Sequence, residues 1–373
     1  NGTGAATIVN DAGLTLAAST MGGTFSGTAT TGDITDSGAL AITGAATFIT
    51  GATGSNIVLD TSTNAFSNSV EMRADSGNEA FGNITFVDSA AIDFATSASS
   101  NGDLFINGST DGAVGGNLSV TATTGNITDT VALAVIGTTN LVTSANDATI
   151  TLDTTTNAFT SAVTITTNDS SGTDADVTID GGTTQLSIGA STIDGDLTLT
   201  SGNSGGITDT GTVTVGGNFT ATTDANNGVI TRDAMAVDST VALTTNGSGN
   251  ATFDNGTLNL DLAASNVGGN LTVTSGAAAG ITDSGTITVA GNLVATTDAN
   301  NGVIDLGQLA VTGTMDLTTD GTGNVTIDNG SSDIVLIGSG IGGDLTLTSG
   351  AAAGITDSGT ITVAGNLVAT TDA

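Results

Sequence analysis

The chain has 373 residues, 36 acidic against two basic, and a formal net charge of −34. It has no Pro, Cys, His, Trp, Tyr or Lys. Nucleic-acid binding and docking on anionic lipid rest on Lys and Arg and are not expected here, and without Cys there is no disulfide scaffold.

In chain order the sequence falls into blocks 22–114, 115–193, 194–267 and 268–341, with a partial block 342–373. A landmark G-x-I-T-D recurs at Gly32–Asp36 and Gly125–Asp129 and tightens to G-I-T-D at Gly206–Asp209, Gly280–Asp283 and Gly354–Asp357. The long first block is expected to hold an additional coil around residues 82–94. Self-similarity at fixed spacing marks an array.

The block 268–341 divides again, into units 268–289, 290–311 and 312–341, the third carrying extra residues near its end. Aligned, Leu271, Leu293 and Met315 share one column. Val273, Ala295 and Leu317 share another, and a third holds Ile281, Val303 and Val325. Ile287 and Val289 fall over Leu309 and Val311. Apolar residues alternate with Thr, Ser, Asn or Asp, the period of a strand with one face buried. Gly-, Asn- and Asp-rich segments between them read as turns. Each unit therefore holds about three short strands, enough for one turn of a parallel β-solenoid.

The fold expected over residues 1–373 is all-β: a single continuous parallel β-helix (β-solenoid) with ~22-residue coils in ~74-residue blocks, part of a longer protein. At the strand spacing of about 4.8 Å, some 13–14 coils would make a rod ~65 Å long. The competing architecture is a string of tandem β-sandwich domains, which calls for a larger, often aromatic core. The composition suits the solenoid. Pro would break the ladder in every interior coil, large rings are awkward in a narrow stacked core, and Val, Ile and Thr favour strands. A single coil cannot offset its ordering entropy, so each relies on its neighbours for hydrogen bonds and a covered face. Thr274, Thr296 and Thr318 should form a hydroxyl ladder, and Asn270 and Asn292 the start of an amide ladder.

The phrases G-N-L-x-V-T and G-I-T-D-S-G-T-I-T-V resemble the repeats of very large bacterial surface exoproteins, the filamentous-haemagglutinin-like adhesins and related β-strand-repeat proteins. The resemblance spans nearly the whole chain. It implies a right-handed parallel β-helix, export from the cell, and a role in adhesion, surface coats or filaments. The secretion domain of the haemagglutinin group, with its Asn-Pro motif, has no counterpart in this sequence, and no functional residues carry over.

No catalytic residues are expected, because His, Cys, Tyr and Lys are missing as bases and nucleophiles. Paired carboxylates could cleave glycosides, but the Asp residues recur in repeated positions, which suits structure. Calcium is the one cofactor the sequence suggests. Asp283 and Asp305 are 22 apart and should stack on adjacent coils, where a hard cation would relieve their repulsion. The corners Asp298-Ala299-Asn300-Asn301 and Asp328-Asn329-Gly330 add oxygens. Against this stands the simpler reading that each Asp caps a turn and faces water. Arg73, near Glu71 and Asp75, and Arg232, beside Asp233, read as local charge partners.

The sequence thus reads as an extracellular, cell-surface structural rod of a filament, sheath or adhesive fibre, and not as an enzyme. Its partners would be further coils or copies of itself end to end, and surface glycans. No nucleic acid and no membrane insertion are expected. The alternative is a glycan- or receptor-binding adhesin module, for which the irregular region 67–114 is the place to look.

Overall fold

The computed structural model describes residues 3–74, 82–95, 103–106, 113–168, 174–351 and 354–371. Among them every regular element is a β-strand, and every strand pairing is parallel. The protein is a parallel β-solenoid. The chain divides into two compact units, Asn1–Gly195 and Asp196–Ala373.

In the second unit a coil has two sides. One five-residue strand, such as Leu271–Ser275, lies on one sheet; two three-residue strands, Ile281–Asp283 and Ile287–Val289, lie together on the other. The expected columns are in register: Leu271 over Leu293 over Met315, and Val273 over Ala295 over Leu317. Ile287 and Val289 face Leu309 and Val311. These side chains point inward and are buried, while the Thr residues between them stay half-exposed, which is the pleat at work.

One column needs correction. Ile281 pairs with Ile304, and Ile304 with Val325. Val303 sits half-exposed on the corner before the strand. The connection 298–303 is one residue longer than its counterpart 276–280, the extra residue being Val303 after the turn Ala299–Gly302; in that turn Asn300 and Asn301 both adopt left-handed backbone, at φ 59° and 55°. Counting by 22 misses this shift.

The extra residues of 312–341 are also explained. The block from Gly268 to Ile341 contains not three coils but seven half-coils. Met315–Thr319 on one side is followed by Val325–Asp328 on the other, a second five-residue-type strand where a split pair is expected. Ile334–Leu336 and Gly340–Ile341 then complete the block. An odd number of half-coils moves the next block to the opposite side: Leu271–Ser275 and its repeat Leu345–Ser349 lie on different sheets. The same exchange occurs within the first unit. Phe25–Ala29 belongs to one sheet and Leu118–Ala122 to the other. The exchange there is made by Val70–Arg73 and Ile84–Asp88, the latter a half-coil where an additional full coil is expected around 82–94.

Most coils of the first unit are three-sided, the last one, with Leu186–Ile188 and Ser191–Ile193 together on one sheet, being an exception. In the three-sided coils the last short strand separates onto a small sheet of its own: Ser19–Met21, Leu40–Ile42 and Ala65–Phe66 form one, and Ala113–Val114, Ala134–Val135 and Ala158–Phe159 another. The wider interior accepts rings. Phe25, Phe48, Phe66 and Phe86 stack one on the next, with centroids 5.5, 6.1 and 5.2 Å apart. Aromatic residues are therefore not excluded from this core; strands of the same coil, as for Phe48 and Phe66, and of neighbouring coils place them close enough for favourable tilted and edge contacts.

Candidate functional site

The polar residues that repeat most strictly sit at the corners, and each is engaged by the neighbouring coil. Before many of the five-residue strands, such as those starting at Leu271, Leu293 and Leu345, stands an Asn or Asp whose side-chain oxygen accepts the backbone N–H of the equivalent residue one coil on. Asn250 accepts from Asn270 at 2.8 Å, Asn270 from Asn292 at 2.9 Å, and Asn292 from Thr314 at 2.9 Å. The expected amide ladder is thus a side-chain-to-backbone ladder. Asp can serve in it as well as Asn, as Asp344 does for Asn366 at 2.7 Å. At the far end of the strand a buried hydroxyl closes the turn. Thr223 donates to the Gly228 carbonyl and Thr297 to that of Gly302, both at 2.8 Å.

The third corner carries fully buried asparagines. Asn329 accepts the Val311 N–H at 2.8 Å and donates to the carbonyls of Val311 at 3.0 Å and Asp333 at 2.7 Å. Asn255 makes the same three bonds to Val237 and Asn259. Buried Asn64 and Asn157 take related positions, accepting from Leu40 and Leu133. These side chains replace ladder bonds that the corner would otherwise leave unmade, and a buried unpaired group is costly. Only their spacing within the blocks marked them in the sequence.

Asp283 and Asp305, the expected cation pair, are not brought into register. Asp305 lies opposite Thr282 and Thr326 and is exposed. Asp283 lies one position further, alongside Leu306, and its two carboxylate oxygens accept the N–H groups of Gly307 at 3.0 Å and Gln308 at 2.7 Å. The one-residue shift that displaces Val303 also separates the carboxylates. Asp283 therefore caps a turn, as the simpler reading holds, but the turn belongs to the next coil. Its counterparts act alike: Asp36 accepts from Asp60, and Asp209 from Ala234. In the corner Asp328-Asn329-Gly330, Asp328 accepts from Gly330 at 2.8 Å. Among the described residues no three acidic side chains are grouped to hold a metal ion.

Burial perturbs a few of these acids. Asp88, enclosed at the end of Ile84–Asp88, is pushed up to about 6 by burial, against N–H bonds from Phe66, Ser89 and Ala90 that favour its charge. Burial also raises Asp129 and Asp209, the latter despite the attraction of Arg232.

Arg232 has the expected charge neighbour but not a surface position. Arg232 points into the core with no exposed surface, whereas its sequence neighbour Asp233 is exposed. Burial lowers its guanidinium to about 10, opposed by Asp209 and Asp233. Arg73 is half-buried; of its expected partners, Glu71 lies in the same strand and is half-buried too, and Asp75 lies outside the described residues. Within 67–114 the described residues enclose a cleft of about 330 Å³, lined by Phe94, Leu104, Phe105, Ile106 and Leu133 among others. Its lining is mainly apolar, without the converging polar groups that fix a sugar.

A repeat whose corner Asn, Asp and Thr residues serve stacking also has a family signature. The model of one family, described as repeats of unknown function (DUF5649), matches residues 3–73, 81–166, 174–246, 248–308 and 322–373. The chain belongs to that family. The DUF5649 repeats thus extend through both units of the solenoid. No curated protein and no solved structure matches the chain.

Proposed function

We propose that this DUF5649 repeat chain is an extracellular structural rod, a segment of a surface filament, sheath or adhesive fibre. The observation that carries the reading is the corner chemistry. The repeated Asn, Asp and Thr side chains bond backbone groups of their own turn or of an adjacent coil, so the sequence invests its polar residues in length and continuity. A recognition surface would instead concentrate unlike residues in one place.

Two features support it further. The net charge of −34 keeps such material dispersed and draws cations from solution. The phrases shared with large bacterial exoproteins point to the cell surface.

The test is immunogold labelling of intact source cells with antibody to the repeats, alongside fractionation. Label on surface fibres is the expected result; antigen confined to the cytosolic fraction overturns the proposal. A glycan array run on the same material addresses the adhesin reading, and saturable binding to one glycan class would favour it.

A further inference from the structure

Blocks 194–267 and 268–341 are close copies, yet four of their buried positions change together. Phe219, Arg232, Met235 and Phe253 in the first block stand where the second has Leu293, Leu306, Leu309 and Ile327. In the structure the first four are neighbours. Arg232 Nη1 donates to the Thr208 carbonyl at 2.7 Å and Nη2 to the Met235 sulfur at 3.1 Å. Its guanidinium carbon lies 5.5 Å from the Phe219 ring centroid. Phe253 is the register partner of Arg232 on the next coil, 5.6 Å ring to ring from Phe219. Asp209 and Asp233 supply the opposing charge.

Each substitution makes sense only with the others. An aromatic face and a polarisable thioether can receive a guanidinium; leucine cannot. The arrangement is not a strong stabiliser, since Arg232 Nε is buried without a partner and apolar replacement of buried ionic groups is often neutral or favourable. Its best-attested use elsewhere is to fix register, and register is the weak point of an array of copies. A coil of the first block and its counterpart in the second would otherwise present the same core to the same neighbours.

We propose that the Arg232 cluster is a register key: it makes the coils of 194–267 non-interchangeable with those of 268–341, so that each stacks only on its own neighbour. A slipped pairing would carry Phe219 and Met235 along with Arg232, since all three lie on one coil, but would set Ile327 in place of Phe253, so that the guanidinium and the Phe219 ring lose their aromatic neighbour on the next coil.

Two measurements test this. The first asks whether the four residues act as a unit. Leu306→Arg alone should markedly lower the unfolding midpoint of the full chain, and adding Leu293→Phe, Leu309→Met and Ile327→Phe should restore most of the loss; no restoration overturns the cluster. The second reads register. The chain has no cysteine, so Thr220→Cys with Ala242→Cys reports the native pairing, and Thr220→Cys with Asp316→Cys the pairing slipped by one block. After refolding and oxidation, the parent should give the native disulfide. The variant Phe219→Leu, Arg232→Leu, Met235→Leu, Phe253→Ile should fold yet raise the slipped disulfide at least about threefold. Equal native yields in the two backgrounds would overturn the key.

Discussion

Replacing Asn329 by Leu is the sharpest probe of how the corners hold. The side chain has no exposed surface and makes three bonds, to the N–H and C=O of Val311 and to the C=O of Asp333. Leucine is of similar size, so packing changes little, but three buried backbone groups lose their partner. A typical bond contributes about 0.5–1.5 kcal/mol net, and a buried group left unsatisfied costs about 1–3 kcal/mol. Allowing for the apolar surface gained, the loss should be about 3–5 kcal/mol. Asn329→Asp should cost at least as much at neutral pH, because its second oxygen would face two carbonyls. Denaturant unfolding gives the total, and amide exchange at Val311 gives the local effect. Protection there should fall by about a hundredfold or more. As a control, Asn292→Ala removes one exposed bond and should cost about 1 kcal/mol. A loss below about 1 kcal/mol for Asn329→Leu, with Val311 still protected, would refute the reasoning.

Three further outcomes follow from particular residues. Gly280 has φ +69°, and a Cβ there would lie 1.9 Å from the Val303 carbonyl oxygen. Gly280→Ala should therefore destabilise by about 2 kcal/mol or more, while Gly307→Ala, with open space around it, should stay within about 0.5 kcal/mol. Asp88 has a folded pKa of about 6, above its ordinary 3.8, so the native state binds the proton more tightly. Stability should fall as pH rises from about 4 to 6, by about 3 kcal/mol from this group, and that part of the slope should vanish in Asp88→Asn, leaving the contribution of other buried acids such as Asp129 and Asp209. Trypsin offers a simple check: the unfolded chain can be cut only after Arg73 and Arg232. The folded chain should resist cleavage after Arg232, which is fully buried, and cleavage there under native conditions would contradict the fold.

The solenoid was legible because its core columns repeat at a fixed interval with a period of two inside each strand. Leu271, Leu293 and Met315 could be aligned by eye and do stack. Corners were not legible to the residue. After the turn Ala277-Ala278-Ala279-Gly280 the strand begins at once with Ile281, whereas after Ala299-Asn300-Asn301-Gly302 it begins one residue later, at Ile304, and this alters the following register by one. The two turns differ in backbone, with left-handed φ values at Asn300 and Asn301 that Asn permits and Ala does not. The register shift misplaced Val303 and, with it, the Asp283–Asp305 pairing. The half-coil exchange was hidden for another reason: Val325–Asp328 resembles either strand type, and only its partner Leu345–Ser349 decides which side it joins. Arg232 read as a surface charge because Asp233 follows it; alternation along Ile230–Arg232 pointed inward, and the matching Phe219 and Met235 were the available signal.

The central claim is that residues one coil apart lie side by side in parallel strands. Thr272→Cys with Val294→Cys tests it most directly, since the two are register partners on the outward face and no other thiol exists in the chain. Mild oxidation of the folded protein should close this disulfide within one chain, because adjacent strands lie about 4.8 Å apart. The control pair Thr272→Cys with Thr282→Cys, on opposite sheets, should stay reduced. A folded protein in which 272 and 294 fail to join, or join only between chains, would contradict the stacked-coil account.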